Sequence, residues 1–416
     1  MKTPQAGLTS GTTWWRAPES RSTRLKEDIT AELCDTLFGS LSRRDQREKG
    51  EQYLRALLEA RGRKSIRNLA TQLGGAAAEQ RLQHFISNAP WDWMPVRDAL
   101  ASYLERKNLP LAYVVRALSI PKAGNRSVGV DQGFDPHLGR IFRGQRAFGM
   151  WHASPALSVP VNWRMLLPDT CFDAEPARRW AGVPTETSKE TLEECAVTSV
   201  LETLPLRGVP LAPVVLDLPM NRVDSAFRGF AEAGVPAVAR LRPTARLTVQ
   251  DPALAGFSGG PLQARQIAMS ARSLRRPVTW SDPAAPKVSH HSLVAAVQVR
   301  EPGRPSGPRH SADGRLLLLA EWRDPQRAPE NLWVANAHML RAEALLLVTK
   351  LTARVDLDVT QVGFNTGLRD FEGRSLRGWH RHMSLASAAH AIEILASAEG
   401  RHSAQRPHRQ VSRLSA

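Results

Sequence analysis

The sequence predicts an α/β (α+β) protein: an all-helical N-terminal module followed by a sheet domain that starts as a meander and continues as alternating helices and strands. Three observations carry this. Apolar residues recur at helical spacing from Thr23 to about Asn108. Beyond Pro110 the pattern becomes short apolar runs separated by Gly, Asn and Pro. From about Ser188 helical and strand periods alternate.

In order, residues 1–22 carry Gly, Thr, Ser and Pro without periodicity and read as a disordered tail. The helical module spans 23–109. Leu25, Ile29, Leu33 and Leu37 form one stripe, and Tyr53, Leu54, Leu57 and Leu58 another after a Ser42 cap. Ile66, Leu69 and Leu73 precede a stopping Gly74; Leu82, Phe85 and Ile86, then Val96, Leu100 and Leu104 after Pro95, complete it. Segments 64–73 and 76–87 are spaced like a DNA-binding helix-turn-helix, although the short Gly-Gly-Ala turn fits a plain helical bundle better.

The sheet domain opens over 110–241. Strands are expected at Leu111–Leu118, Ser127–Asp131, Arg146–His152 and Ser158–Leu167, then a helix at Ser188–Leu204, a strand at Pro213–Leu218, a helix at Val223–Ala233 and a strand at Pro236–Leu241. A meander followed by alternation is the order of an RNase H-like sheet. Residues 242–338 read as a β-rich insertion with return strands (Ser292–Val299, Arg315–Trp322, Leu332–Ala335) and a mobile loop at Glu301–Gly314. Residues 339–400 hold two C-terminal helices, Leu340–Val362 and Trp379–Ala398, and 401–416 a basic disordered tail.

Composition narrows the function. The chain has 416 residues, 42% hydrophobic, with a formal net charge of +16 and far more Arg than Lys. Such a balance implies a polyanionic partner, because each neutralised phosphate releases condensed counterions and Arg forks onto phosphate and guanine. Nucleic acid is the expected partner, and no small-molecule substrate is indicated. No apolar run is long enough to cross a bilayer and the start lacks a secretory pattern. The three cysteines, Cys34, Cys171 and Cys195, are scattered, which fits a reducing cytoplasm, and the basic charge there fits a nucleoid-associated protein.

Three blocks carry a family resemblance. The first is Val114-Val115-Arg116-Ala117-Leu118-Ser119-Ile120-Pro121-Lys122, continued by Ser127-Val128-Gly129-Val130. The second is Val161-Asn162-Trp163-Arg164-Met165-Leu166-Leu167-Pro168, leading to Val214-Val215-Leu216-Asp217. The third runs from Arg354-Val355-Asp356 to Asp370-Phe371-Glu372-Gly373-Arg374-Ser375 and Arg377-Gly378-Trp379-His380-Arg381-His382. Together they resemble the DDE-type transposases of bacterial insertion sequences, DDE superfamily endonucleases.

The resemblance implies an RNase H-like fold, double-stranded DNA as partner, self-association, and phosphodiester cleavage and transfer by Mg2+ ions held on three carboxylates. The family reads Val-Val-Asp-Asp-Thr-Gly-Phe-Pro-Lys in the first block, so Arg116 and Ala117 stand where the first acidic ligand is expected. The second and third positions fall on Asp217 and on Asp356, the latter where the family has Glu; these two are the candidate catalytic and metal residues. Gly363 replaces a basic residue. The resemblance also assigns DNA contacts or packing near the site to Lys122, Arg354, Arg374, Arg377, Trp379, His380 and His382.

Each position has a plainer reading. Asp217 ends an apolar strand and needs a partner, either a metal or an Arg such as Arg222 or Arg240. Asp356 and Asp358 also read as exposed helix acids, with Arg354 at the spacing to pair with Asp358. His380 and His382, two residues apart, lack the helical spacing of metal ligands, and His290-His291 reads as a loop pair. Three functions stay open: a transposase-derived DNA-binding protein with impaired catalysis, an active enzyme in which Asp131 or Asp135 substitutes for the missing acid, and a domesticated non-catalytic DNA-binding or regulatory protein.

Overall fold

The helical stripes form as the spacing dictates. A computed structural model describes residues 21–124, 127–135, 139–173, 175–204, 212–302, 315–336 and 341–405. Most of both tails and of the 301–314 loop lies outside that set. Helices α1 (Arg21–Phe38), α2 (Arg44–Glu59), α3 (Ile66–Thr71), α4 (Ala76–Ser87) and α5 (Met94–Lys107) follow one another. Ile29, Leu33 and Leu37 of α1 are buried, as are Tyr53, Leu54 and Leu57 of α2. Ser42 does not cap α2: Arg43 holds the cap position and no side chain serves it. Ser65 does cap α3, accepting from the Asn68 amide. Between α3 and α4, Gly74 and Gly75 both take positive φ (97° and 80°), which side-chain-bearing residues rarely adopt.

The strands are β1 (Ala112–Pro121), β2 (Val130–Asp135), β3 (Arg140–Ala153), β4 (Ser158–Leu166), β5 (Val214–Met220) and β6 (Ala237–Leu241), then β7 (Arg246–Val249), β8 (Pro261–Gln263), β9 (Arg276–Asp282), β10 (Ala285–Arg300), β11 (Leu316–Trp322) and β12 (Asn331–Ala335). Among the described residues they make one 12-stranded mixed sheet in the order β2-β3-β1-β5-β6-β12-β11-β10-β7-β8, with β4 on β3 and β9 on β10. Strand β3 is twice the expected length: its first half pairs β2 and its second half pairs β4, with a register shift at Met150/Trp151. The second strand therefore starts at Val130 rather than Ser127. Strands β5 and β6 lie parallel to β1. The segment read as an insertion continues the same sheet, because β12 pairs antiparallel with β6.

The remaining helices are α6 (Glu175–Ala181), α7 (Leu192–Leu201), α8 (Asp224–Glu232), α9 (Ala264–Ser270), α10 (Ala342–Asp358) and α11 (Leu376–Gln405). Thr191 and Glu194 form a capping box at the start of α7. Helix α10 ends in a π turn, Val359–Gly363. Helix α11 is buried nearly all round from Gly378 to Leu395, its alanines letting neighbours approach from several sides. It packs against α1, α2 and β4, so the N-terminal helices and the sheet share one core through it.

Candidate functional site

The strand register assembles the centre. On the parallel pair β1–β5 the last matched residues are Val115 and Leu216, so Arg116 and Asp217 come next on adjacent strands. On β5–β6 Leu216 matches Ala239, which brings Arg240 alongside Asp217, and on the next strand Trp333 matches Arg240. The result is a row of Arg116, Asp217, Arg240 and Trp333 across four strands. Asp217 is only 5% exposed and has a guanidinium on each side. Its Oδ2 accepts from Nη1 of Arg116. Its Oδ1 lies 2.9 Å from Nε of Arg240, an ion pair without the alignment of a hydrogen bond, and the Arg240 guanidinium lies over the Trp333 ring at 4.9 Å.

Asp356 reaches the same group from α10. Nη2 of Arg116 pairs with its Oδ1 while Nη1 holds Asp217, so one planar fork joins the two carboxylates that the sequence nominates as metal ligands. Asp356 remains half-exposed. Two residues along, Asp358 is buried and accepts from Arg354 through both oxygens (2.8 Å each) and from the Ser158 amide and hydroxyl (2.8 Å each). Arg354 is thus consumed in a buried pair that ties α10 to β4, as the i,i+4 spacing anticipated. Gly363 sits in the π turn, where an added Cβ would lie 2.8 Å from Leu368.

The replacement acids sit elsewhere. Arg116 is opposite Gly149 on β3, whereas Asp131 is opposite Gly144. That offset along β3 is roughly 17 Å at about 3.4 Å per residue. Asp131 instead faces Arg146, whose Nη2 lies 3.1 Å from its Oδ2. Asp135 is placed by its backbone opposite Arg140, farther out on the same hairpin. Ala117 is the next residue on β1 after Arg116, so it faces the other side of the sheet.

The C-terminal signature is largely a packing device. Trp379 and His382 are buried. Nδ1 of His382 accepts from the Tyr53 hydroxyl and its Nε2–H donates to the Gly367 carbonyl (2.8 Å each), which requires a neutral ring. Burial holds that imidazole down at about 4. Arg381 donates to the carbonyls of Trp91 and Ile86. His380 is half-buried and stacks on Trp93, with centroids 4.7 Å apart and planes 5° from parallel. Lys122 donates to the carbonyls of Arg369 and Phe371, fixing the loop before α11, and burial lowers its ammonium to about 8. Of the nominated contacts, Arg374 and Arg377 are the exposed ones.

A cleft of about 600 Å³ lies between α3, α4 and the loop before α11, lined by Lys64, Arg67, Gln83, Asn88, Asp370 and Arg374 among others. Exposed Arg63, Arg67, Arg369 and Arg374 stand around this part of the molecule, and Arg63 pairs with Glu372 at 2.9 Å. Sequence reading did not single out Arg97. It is fully buried on α5 and donates to Ser384, Asn162, the Trp163 carbonyl and His380. Its only signal was an Arg directly after Val96 within an apolar stripe. The buried Glu321–Lys350 pair was likewise missed.

Chemically, a carboxylate pair bridged by a guanidinium is a closed ion-pair network. Among the described residues no group of three or more His, Cys, Asp or Glu side chains is placed to hold a metal ion. No curated protein matches the chain. A solved structure, the cryo-EM piggyBac transposase synaptic complex with hairpin DNA, aligns over 96% of this chain and 79% of that one at 12% identity, with a TM-score of 0.39, too low to establish a shared fold. The family model described as DDE superfamily endonuclease matches residues 36–305, a span that holds Arg116 and Asp217 but stops before Asp356. The chain belongs to the DDE superfamily endonuclease family.

Proposed function

We propose that this chain is a DNA-binding protein descended from an insertion-sequence transposase, in which an internal guanidinium has taken the place of the catalytic metal, so that it holds DNA without cutting it. The observation that carries this is the Arg116 fork between Asp217 and Asp356. Two-metal phosphodiester chemistry needs carboxylate oxygens free to coordinate cations. Here Asp217 is committed to Arg116 and Arg240, and a fixed positive charge between the ligands repels any incoming cation. The residues present do not fit Mg2+.

The strand order β4-β3-β1-β5-β6, with β3 antiparallel and β5 and β6 parallel to β1, supports the RNase H-like reading of this part of the sheet. DNA binding is supported by the +16 charge and by the exposed arginines around the α3–α4 cleft. No observation favours the rearranged enzyme, given the distance along β3 and the Arg146 partner of Asp131. No helix among the described residues is long and apolar enough to cross a membrane.

The test combines duplex binding across a salt series with a nicking assay in Mg2+ or Mn2+. Affinity is expected to fall steeply with salt and no strand to be cut. Nicking that disappears in Asp217→Asn, or binding indifferent to salt, would overturn the reading.

A further inference from the structure

A second cavity, of about 310 Å³, lies at the β4 edge between α5, the α6–α7 connection and the start of α11. One wall is the Trp93–His380 stack, and Phe172, Met94 and Leu167 add apolar surface. At its polar end Arg164 holds two carboxylates: Nε and Nη2 donate to Glu190 (2.9 Å each) and Nη1 to Glu202 (2.8 Å). Three N–H groups of the guanidinium are used there, which leaves two, and the carboxylate oxygens keep spare lone pairs. Arg377 lines the same cavity and is exposed.

We propose that this cavity receives one unpaired base of the bound DNA strand. The proposal rests on the DNA-binding reading above. Its volume is at the small end of ligand sites, so a single heterocycle fits better than a larger ligand. A flat aromatic wall recognises the face common to all bases, and an edge with both donors and acceptors recognises their hydrogen-bonding rim. The wall stays uncharged, since burial and the nearby Arg97 and Arg164 push the His380 imidazole well below its ordinary value. Arg97 behind it is saturated by its acceptors and fixes the ring through Nδ1 (3.0 Å). Exposed Arg377 supplies a phosphate contact beside the cavity. The pairing Arg164–Phe148–Ala117 places the cavity floor two strands from β1, roughly 10 Å across the sheet and on the face opposite to Arg116.

The experiment compares affinities of the full chain for three duplexes: fully paired, with a single bulged base, and with a bulged abasic nucleotide. The bulged base is expected to bind about tenfold more tightly than either of the others, the scale of one base stacked on an aromatic ring. Trp93→Ala is expected to erase that preference while leaving paired-duplex affinity within about twofold, and Trp93→Phe to restore most of it. Phe172→Ala, at another wall, is expected to weaken the preference should Trp93→Ala fail to fold. Equal affinity for base and abasic bulges, or a preference that survives both alanine variants, would overturn the base site while leaving DNA binding intact. No binding to any of the three duplexes would instead overturn the DNA-binding reading, and the base site with it.

Discussion

Arg116 on β1 donates through one end of its guanidinium to Asp217 on β5, the residue beside it in the parallel register, while the other end holds Asp356 on α10. One side chain thereby fastens α10 to the sheet. The positive charge that bridges the two carboxylates is covalently part of the chain and cannot leave.

Removing that bridge exposes its cost. Arg116→Ala leaves Asp217 with Arg240 alone and strips Asp356 of this partner. Breaking a buried ion pair from one side typically costs about 3–5 kcal/mol, and the remaining Arg240 should hold the loss to about 2–4 kcal/mol. Urea unfolding checks this. Arg116→Lys should recover less than half, because an ammonium cannot fork onto two carboxylates as a planar guanidinium does.

The Arg354–Asp358 pair anchors the same helix from its other side. Asp358→Ala should cost about 3–5 kcal/mol, because it leaves a buried guanidinium and the Ser158 amide and hydroxyl without their acceptor. Thermal melting of the variant measures it. Asp356→Ala, at a half-exposed position, should cost about 1 kcal/mol or less.

Acid should destabilise the fold in a defined window. His382 and His390 are held down at about 4 by burial, against an ordinary value near 6.5. Below about 6.5 the unfolded chain takes up these protons before the folded one does, so stability falls from pH 6.5 towards 4 and is unaffected by these groups above 6.5. Each contributes on the order of 3 kcal/mol across the window. Urea midpoints between pH 7.5 and 4.5 give the slope, and His390→Gln should flatten it.

On the proposed DNA-binding reading, Arg374→Ala and Arg377→Ala should each lower the dependence of log affinity on log salt by about one unit, uniformly across duplex sequences. Filter binding from 50 to 200 mM salt tests this. Arg354→Ala should leave the slope unchanged in the folded fraction, because its guanidinium is buried against Asp358.

How far the sequence could be read depends on which interactions are local. Helical stripes such as Ile29–Leu33–Leu37 and the pair Arg354–Asp358 are set by spacing within one element, and both could be recognised from the chain alone. Asp217 was recognisable as a polar residue ending an apolar strand, with Arg240 among its candidate partners. What stayed hidden was long-range register. Nothing near residue 116 says that its guanidinium meets a helix some 240 residues later. Nor does the position of His382 say that its ring is buried against Tyr53 of α2 rather than turned to solvent. The continuation of the sheet from β6 into β12 is hidden for the same reason, since strand pairing across a long connection leaves no local trace.

The central claim is that the Arg116 guanidinium stands where a cation would bind. Its most direct test is Mn2+ titration of the purified full chain, followed by the signal of free Mn2+, in wild type, Asp217→Asn and Arg116→Asp. Wild type and Asp217→Asn should show the same weak uptake, whereas Arg116→Asp should gain a site of sub-millimolar affinity that also raises its melting temperature. Tight stoichiometric Mn2+ binding by the wild-type chain, abolished in Asp217→Asn, would contradict the account.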